Sequence, residues 1–442
     1  MQATDVPLTT MSIAKKLDNM YYGWFIVIGL ALVTFLDFGA RASFGVYVHE
    51  WEKEFETSVG SISAAASIGL VIGGLSSPIY GGLIDRYGGR VVLLFGATLT
   101  GIGYILLSFI PSVLFLAVVW GCVIALATGG ISVGMTTVTV ARWFSRYRGM
   151  AMSFILSGAA LGGLLLVPFS SYLVEIVGWR MTVTVFALGF LIVGVPVIWS
   201  LVRNSPEEIG LEKDGLSTDP GEEGTLVETT SPLEVSHWRE ALKSLPIWKI
   251  SMAYVVCGVS TSIISVHYVR WAISEGISST QGAMAFGLLA GVNGTALLFV
   301  GWLSDRMERR LLLGTVYGIR ALGFLCLVIL PPTWGLWAFA VIGGGSWLSS
   351  VPLTTSLTAD IYGLKQVGTL TGLANCAHAL GGAACVWIAG TLFDEIGTYD
   401  FTFMGVVVAL IAAMLISWSV QEKKLSVRYQ TSQLETGGAT AS

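Results

Sequence analysis

Two charged residues stand four apart inside an otherwise apolar run, Asp37 and Arg41 within Val-Thr-Phe-Leu-Asp-Phe-Gly-Ala-Arg. That spacing puts both on one face of a helix. If the run spans a bilayer, each charge costs about 2.5–3.5 kcal/mol unless it is paired or hydrated. Counted from Trp24 along a helix, they lie roughly 20 and 26 Å in, past the midpoint. The functional reading makes Arg41 an anion anchor, because its planar fork bonds a carboxylate through two parallel hydrogen bonds. Asp37 is then the proton carrier or counter-ion. The structural reading is an ion pair that ties this helix to a neighbour.

Other polar residues interrupt apolar runs. Arg320 lies midway along one, and either meets a ligand or supports neighbouring helices. Asp360, near the end of another, reads as a gate or a helix-end charge. His267 and His378 suit proton coupling, since imidazole titrates near neutral pH; the alternative is a neutral histidine bonded inside packed helices. Asn293 and Asn375 are cavity groups or interhelical bonds. Trp347, beside Ser346, Ser349 and Ser350, offers an indole wall and hydroxyls to a small organic anion, or is a packed core residue.

The elements that must position these groups follow from composition. Of 442 residues, 54% are hydrophobic and 12% charged, against about 25% charged in soluble domains. An ordinary cytosolic enzyme is excluded, and a net charge of −4 excludes a strongly basic nucleic-acid binder. Cys122, Cys257, Cys326, Cys376 and Cys385 fall in apolar runs without CxxC spacing, and read as small core residues. About twelve stretches are long and apolar enough to span a membrane: 23–48, 59–82, 91–110, 113–141, 149–175, 180–202, 247–273, 281–303, 311–330, 334–361, 369–391 and 398–420. The predicted fold is all-α, twelve transmembrane helices in two pseudo-symmetric six-helix bundles. The divisions are 1–202, an acidic linker 203–246 with a short helix near Trp238, 247–420, and a tail 421–442. Lys and Arg gather on one side, so both termini and the linker are expected in the cytoplasm of a multi-pass cell-membrane protein, in a bacterial inner membrane.

The halves repeat. Gly81-Gly-Leu-Ile-Asp-Arg-Tyr-Gly-Gly-Arg90 follows the second span, and Gly301-Trp-Leu-Ser-Asp-Arg-Met-Glu-Arg-Arg310 follows the eighth. Parallel repeats of this kind build two bundles that rock about a central site. In each turn a carboxylate, Asp85 or Asp305, stands beside arginines, Arg86 and Arg90 or Arg306 and Arg309. Topology accounts for the arginines; the aspartates read as gates that accept bonds from helix N-termini. Gly69/Gly73, Gly130/Gly134, Gly158/Gly162 and Gly287/Gly291 favour close helix packing. Gly130-Ile-Ser-Val-Gly134 matches a hydrolase elbow but lies within a span, and no P-loop or metal-ligand spacing occurs. No cofactor or metal is expected.

The turn motif and the six-plus-six layout resemble the major facilitator superfamily. A narrower resemblance, to the monocarboxylate and oxalate–formate transporter families, rests on several stretches. These are Tyr22-Gly-Trp24, Ser43-Phe-Gly-Val46, Trp143-Phe-Ser-Arg-Tyr-Arg-Gly149, Ser157-Gly-Ala-Ala-Leu-Gly162, Pro206-Glu-Glu-Ile-Gly-Leu211 and His267-Tyr-Val269. The resemblance implies that His267 faces substrate, that the ninth span is peripheral, which leaves Arg320 open between a support and a substrate contact, and that Asp85 meets the start of span eleven and Asp305 the start of span five. Carriers of these families often place an arginine four residues after an asparagine in span eight; here Asn293 is followed by Leu297. The cation must come from elsewhere, and Arg41 is the expected source. The resulting expectation is a monomeric secondary transporter that carries a small organic anion, a monocarboxylate, in symport with a proton by alternating access. An exporter of larger amphipathic compounds and a non-transporting receptor are the alternatives.

Overall fold

The computed structural model describes residues 21–144, 148–211, 233–304, 306–363, 367–426 and 429. Twelve spanning helices follow in order: α1 Gly23–Glu54, α2 Val59–Tyr87, α3 Gly89–Ser108, α4 113–141, α5 148–177, α6 179–201, α7 Leu245–Ser274, α8 Ser279–Ser304, α9 Arg309–Ile329, α10 Pro332–Tyr362, α11 Val367–Ile396 and α12 Asp400–Trp418. α5 runs into α6 through Gly178, whose φ of 78° only glycine adopts readily. Gly397, at φ 79°, does the same between α11 and α12.

Apolar runs set the helix positions, and most edges fall within a few residues of expectation. α1 is the exception, continuing past residue 48 after a turn at Ser43. Hydropathy drops there, but Phe44, Tyr47, Val48 and Trp51 recur at helical spacing and are all buried. Trp51 packs edge-on against Trp179 at 5.8 Å and tilts against Tyr47 at 5.4 Å. An amphipathic end needs no continuous apolar run.

Helices α1–α6 form one bundle and α7–α12 the other. Small residues set the closest approaches. A Cβ on Gly158 or Gly162 would collide with the α1 carbonyls of Ala31 and Phe35, and one on Gly258 with the carbonyl of His378. Of the expected small-residue pairs, Gly287/Gly291 lies on Leu164 of the other bundle, whereas Gly73 faces open space. In the linker the expected short helix is Trp238–Ala241, after a 3₁₀ turn at Pro206–Ile209. Beyond α12, buried Glu422 accepts from the amides of Arg309 (3.1 Å) and Arg310 (2.7 Å), so the tail caps α9.

The bundles touch at the end away from the linker and part towards it. Along α2 and α11 the approach continues to Gly74, where an added Cβ would lie 2.7 Å from Ala379. Beyond that point Gly81, Gly82 and Gly372 face open space. Along α5 and α8 it continues to Gly294 beside Ala160, and Gly301 is again open. A cleft therefore enters from the linker end.

Candidate functional site

Asp37 and Arg41 lie in the last two turns of α1 before its break at Ser43. The carboxylate takes two bonds from the guanidinium, Nε to Oδ1 at 3.1 Å and Nη2 to Oδ2 at 2.7 Å. Asp37 is 1% exposed and Arg41 41% exposed at the side chain. The aspartate is thus enclosed by the bundle, while the arginine keeps an accessible face. Phe38, between them, reaches across to Trp347 of α10 with ring centroids 6.0 Å apart. The charge pair consequently sits one turn from a contact between the bundles.

Trp347 is buried against Phe38 and Phe286, and its indole N–H lacks an acceptor among the described residues. Asn293 is buried as well, donating to the carbonyl of Gly344 at 3.2 Å, an α8–α10 bond. The two histidines are far apart in role. His267 is fully buried at the sealed end, its ring nitrogens 3.0 Å from the Tyr399 hydroxyl and 3.0 Å from the Val386 carbonyl. It also approaches Ser63 of α2 at 3.5 Å. His378 is half-buried, tilted against Tyr254 at 4.8 Å, with Nε2 3.5 Å from Thr261 Oγ1. Tyr254 donates to Asn375 Oδ1 at 2.9 Å, and Asn375 is exposed. His378, Tyr254 and Asn375 form one polar wall, which His267 does not join.

Arg320 is 1% exposed within the second bundle. Its guanidinium donates to Ser260 Oγ at 3.0 Å, to Ser350 Oγ at 3.1 Å and to the carbonyl of Ser346. It ties α7, α9 and α10 together.

Several described charged groups at the linker end bond within their own bundle. Asp360 pairs with Arg309 at 2.5 Å, which also donates to Ser304 and the Ser356 carbonyl. Arg90 donates to the Trp199 carbonyl at 2.6 Å. Arg86 lies over Tyr87 and Arg306 over Trp302, with 5.3 and 4.1 Å to the ring centres. Glu308, between Arg310 and Lys423, is held below the usual carboxylate range by hydrogen bonds from Arg310 first and Lys423 second. The side chain of Asp85 and all of Asp305 lie outside the described residues.

The sealed end carries a gate that the sequence reading missed. Glu52 of α1 takes two bonds from Arg270 of α7, at 2.9 and 3.1 Å. Asp394, near the end of α11, accepts from the Val59 and Gly60 amides at the start of α2, at 3.0 and 2.7 Å. Glu175, near the end of α5, accepts from the Thr280 hydroxyl at the start of α8. Asp394 and Glu175 each stand three residues before a positive-φ glycine, Gly397 and Gly178. That repeat, Glu-x-x-Gly and Asp-x-x-Gly closing the fifth span of each half, was the available signal.

The comparisons with known proteins agree with this architecture. The model of the Major Facilitator Superfamily matches residues 30–386. The chain is 26% identical over 385 residues to the MFS-type transporter YcxA of Bacillus subtilis, covering 84% of this chain and 88% of that one. It is 26% identical over 407 residues to Monocarboxylate transporter 11 of Mus musculus, covering 87% and 84%. Among solved structures, a bacterial homolog of the human lysosomal transporter Spinster, inward-facing and unoccupied, superposes with a TM-score of 0.68. Identity there is 15%, covering 93% of this chain and 98% of that one. With twelve helices in two bundles and a family match along most of its length, this chain belongs to the Major Facilitator Superfamily and is a multi-pass membrane transporter.

Proposed function

We propose that the protein carries a small organic anion, a monocarboxylate, together with a proton by alternating access. The observation that supports this reading most is the bidentate Asp37–Arg41 pair, with the acid enclosed and the arginine accessible. With the site empty, Asp37 neutralises Arg41. A proton on Asp37 removes that charge and leaves the guanidinium free for a carboxylate, so anion and proton load together and the occupied site keeps the charge it had when empty. Leaving either charge alone in the bundle would cost several kcal/mol, which penalises loading of one without the other. Relatives named as monocarboxylate transporters favour this substrate class.

The basic residues at the linker end favour a cytoplasmic linker and termini, and on that orientation a cleft entering from the linker end belongs to an inward-facing state. The test is uptake of labelled lactate, pyruvate and benzoate into proteoliposomes under an imposed pH gradient. Uptake should rise with an inward proton gradient, and counterflow should occur. Asp37→Asn with Arg41→Gln, monodisperse after purification, should abolish both. Indifference to pH with a response to sodium refutes proton coupling, binding without exchange identifies a receptor, and wild-type transport by the double variant reduces Asp37–Arg41 to a structural pair.

A further inference from the structure

Three arginines sit within helices that build or seal the centre, and they differ in charge balance. Arg41 is paired with Asp37, and Arg270 with Glu52. Arg320 has no carboxylate partner among the described residues, although it is the most deeply buried of the three. Its partners are two hydroxyls, a carbonyl and the Cys257 thiol at 3.5 Å, and its Nε proton has no acceptor. These acceptors satisfy the hydrogen bonds, and a guanidinium keeps its charge. The interior of the second bundle thus holds a positive charge with no carboxylate beside it among the described residues.

A single side-chain layer separates that charge from the polar wall. Cys257 lies 3.0 Å from Ser350 Oγ and beside His378. His378 is half-buried, and behind it stand Thr261, Tyr254 and the exposed Asn375. Asn375 is one turn nearer the linker end than Ala379, where α2 and α11 last approach, so it borders the cleft. We propose that the anionic group of the substrate binds this wall, against His378, Thr261 and Tyr254, and that Arg320 is its positioning counter-charge behind Cys257. This rests on the organic-anion reading and gives that site a second cation. Arg41 draws the anion from the first bundle and Arg320 from the second, so the anion favours the two bundles moving about it as a unit. The role is electrostatic, through a layer, so it needs charge at this place and not the arginine fork.

A unit charge about 6 Å from an anion, at an effective dielectric of about 20, changes affinity roughly a hundredfold. Two measurements on the full chain in nanodiscs test the proposal. The first titrates benzoate, pyruvate and lactate, with benzamide as the neutral control, against wild type, Arg320→Gln and Arg320→Lys. Arg320→Gln should bind the carboxylate about a hundredfold more weakly, and Arg320→Lys within tenfold of wild type. The second needs no substrate. Asn375→Cys, with Cys376→Ser, is modified by an anionic and a cationic methanethiosulfonate and read by peptide mass. The anionic reagent should be favoured relative to a free thiol, and Arg320→Gln should lower that preference about tenfold.

Equal carboxylate binding by wild type and a folded Arg320→Gln overturns the proposal and leaves the transport reading standing. If no carboxylate binds wild type while the reagent preference still follows Arg320, the substrate class is wrong and the anion-attracting wall is supported. Should Arg320→Gln fail to fold, the reagents decide on the Arg320-intact protein: a preference for the cationic one overturns the proposal, and a preference for the anionic one supports it.

Discussion

Asp394→Asn should release the sealed end. In the sealed state both carboxylate oxygens of Asp394 accept backbone N–H bonds at the start of α2, from the opposite bundle. Hydrogen bonds to a charged group contribute about 1.5–3 kcal/mol, and the positive end of a helix adds about 0.3–1 kcal/mol for an anion. When the bundles part here, the same groups meet water. Asp394 is exposed, so screening holds the net difference near the lower figures. Asparagine keeps one oxygen acceptor and drops the charge. A loss of about 1.4 kcal/mol follows, a tenfold rise in the ratio of opened to sealed molecules. Adding Glu52→Gln removes the charge opposite Arg270, which is better buried. Because Arg270 also lies over Phe393, next to Asp394, the two changes are coupled, and a hundredfold is the upper limit for the pair.

Electron–electron double resonance reads this directly. Nitroxides at Ser112→Cys and Thr333→Cys, in a background without native cysteines, report the end away from the linker; Tyr87→Cys and Met307→Cys report the linker end. The variants should gain a long-distance population at the first pair and lose one at the second. Identical distance distributions in wild type and the double variant would refute the latch, and with it the account of which contacts hold this state.

Two further outcomes follow from packing and charge. Gly162→Ala should lower thermal stability by about 1–3 kcal/mol, since its Cβ meets the Phe35 carbonyl, while Gly73→Ala, in open space, should leave stability unchanged or raise it; a thermal-shift assay in detergent that ranks them the other way is contrary to the packing described. A membrane-impermeant maleimide should label Lys53→Cys in intact cells and label Leu211→Cys only after the membrane is opened; efficient labelling of Leu211→Cys from outside would invert the orientation read from the basic residues.

Helix number, order and approximate ends were legible because each span is an apolar run of membrane length, and the break between bundles is a polar, acidic one. The Asp37–Arg41 pair was legible for a similar reason: two charges at i,i+4 in an apolar helix have few partners nearer than each other. What the sequence hid is of another kind. His267 and His378 are alike in one dimension, both in apolar runs, yet one is buried at the sealed end with Tyr399 and the other is half-buried beside Thr261 and Tyr254. Which face of α7 or α11 meets the opposite bundle depends on how far apart the bundles stand, and hydropathy carries no record of that distance. Arg320 stood out as a charge in an apolar run, but its partners stayed hidden, since the hydroxyls on α7 and α10 lie 60 and 30 residues away.

The repeat carries this reasoning one step further. The two halves match where they must move: Glu175 and Asp394 stand at equivalent helix ends, each reaching the start of the helix across from it. They differ in how each holds a buried arginine. The first half balances its central arginine with an acid one turn away; the second surrounds its own with hydroxyls and a thiol. The two arginines stand on different spans, the first of one half and the third of the other, so neither is the copy of the other. The repeat is therefore visible at the helix ends that join the bundles, while each buried arginine belongs to its own half.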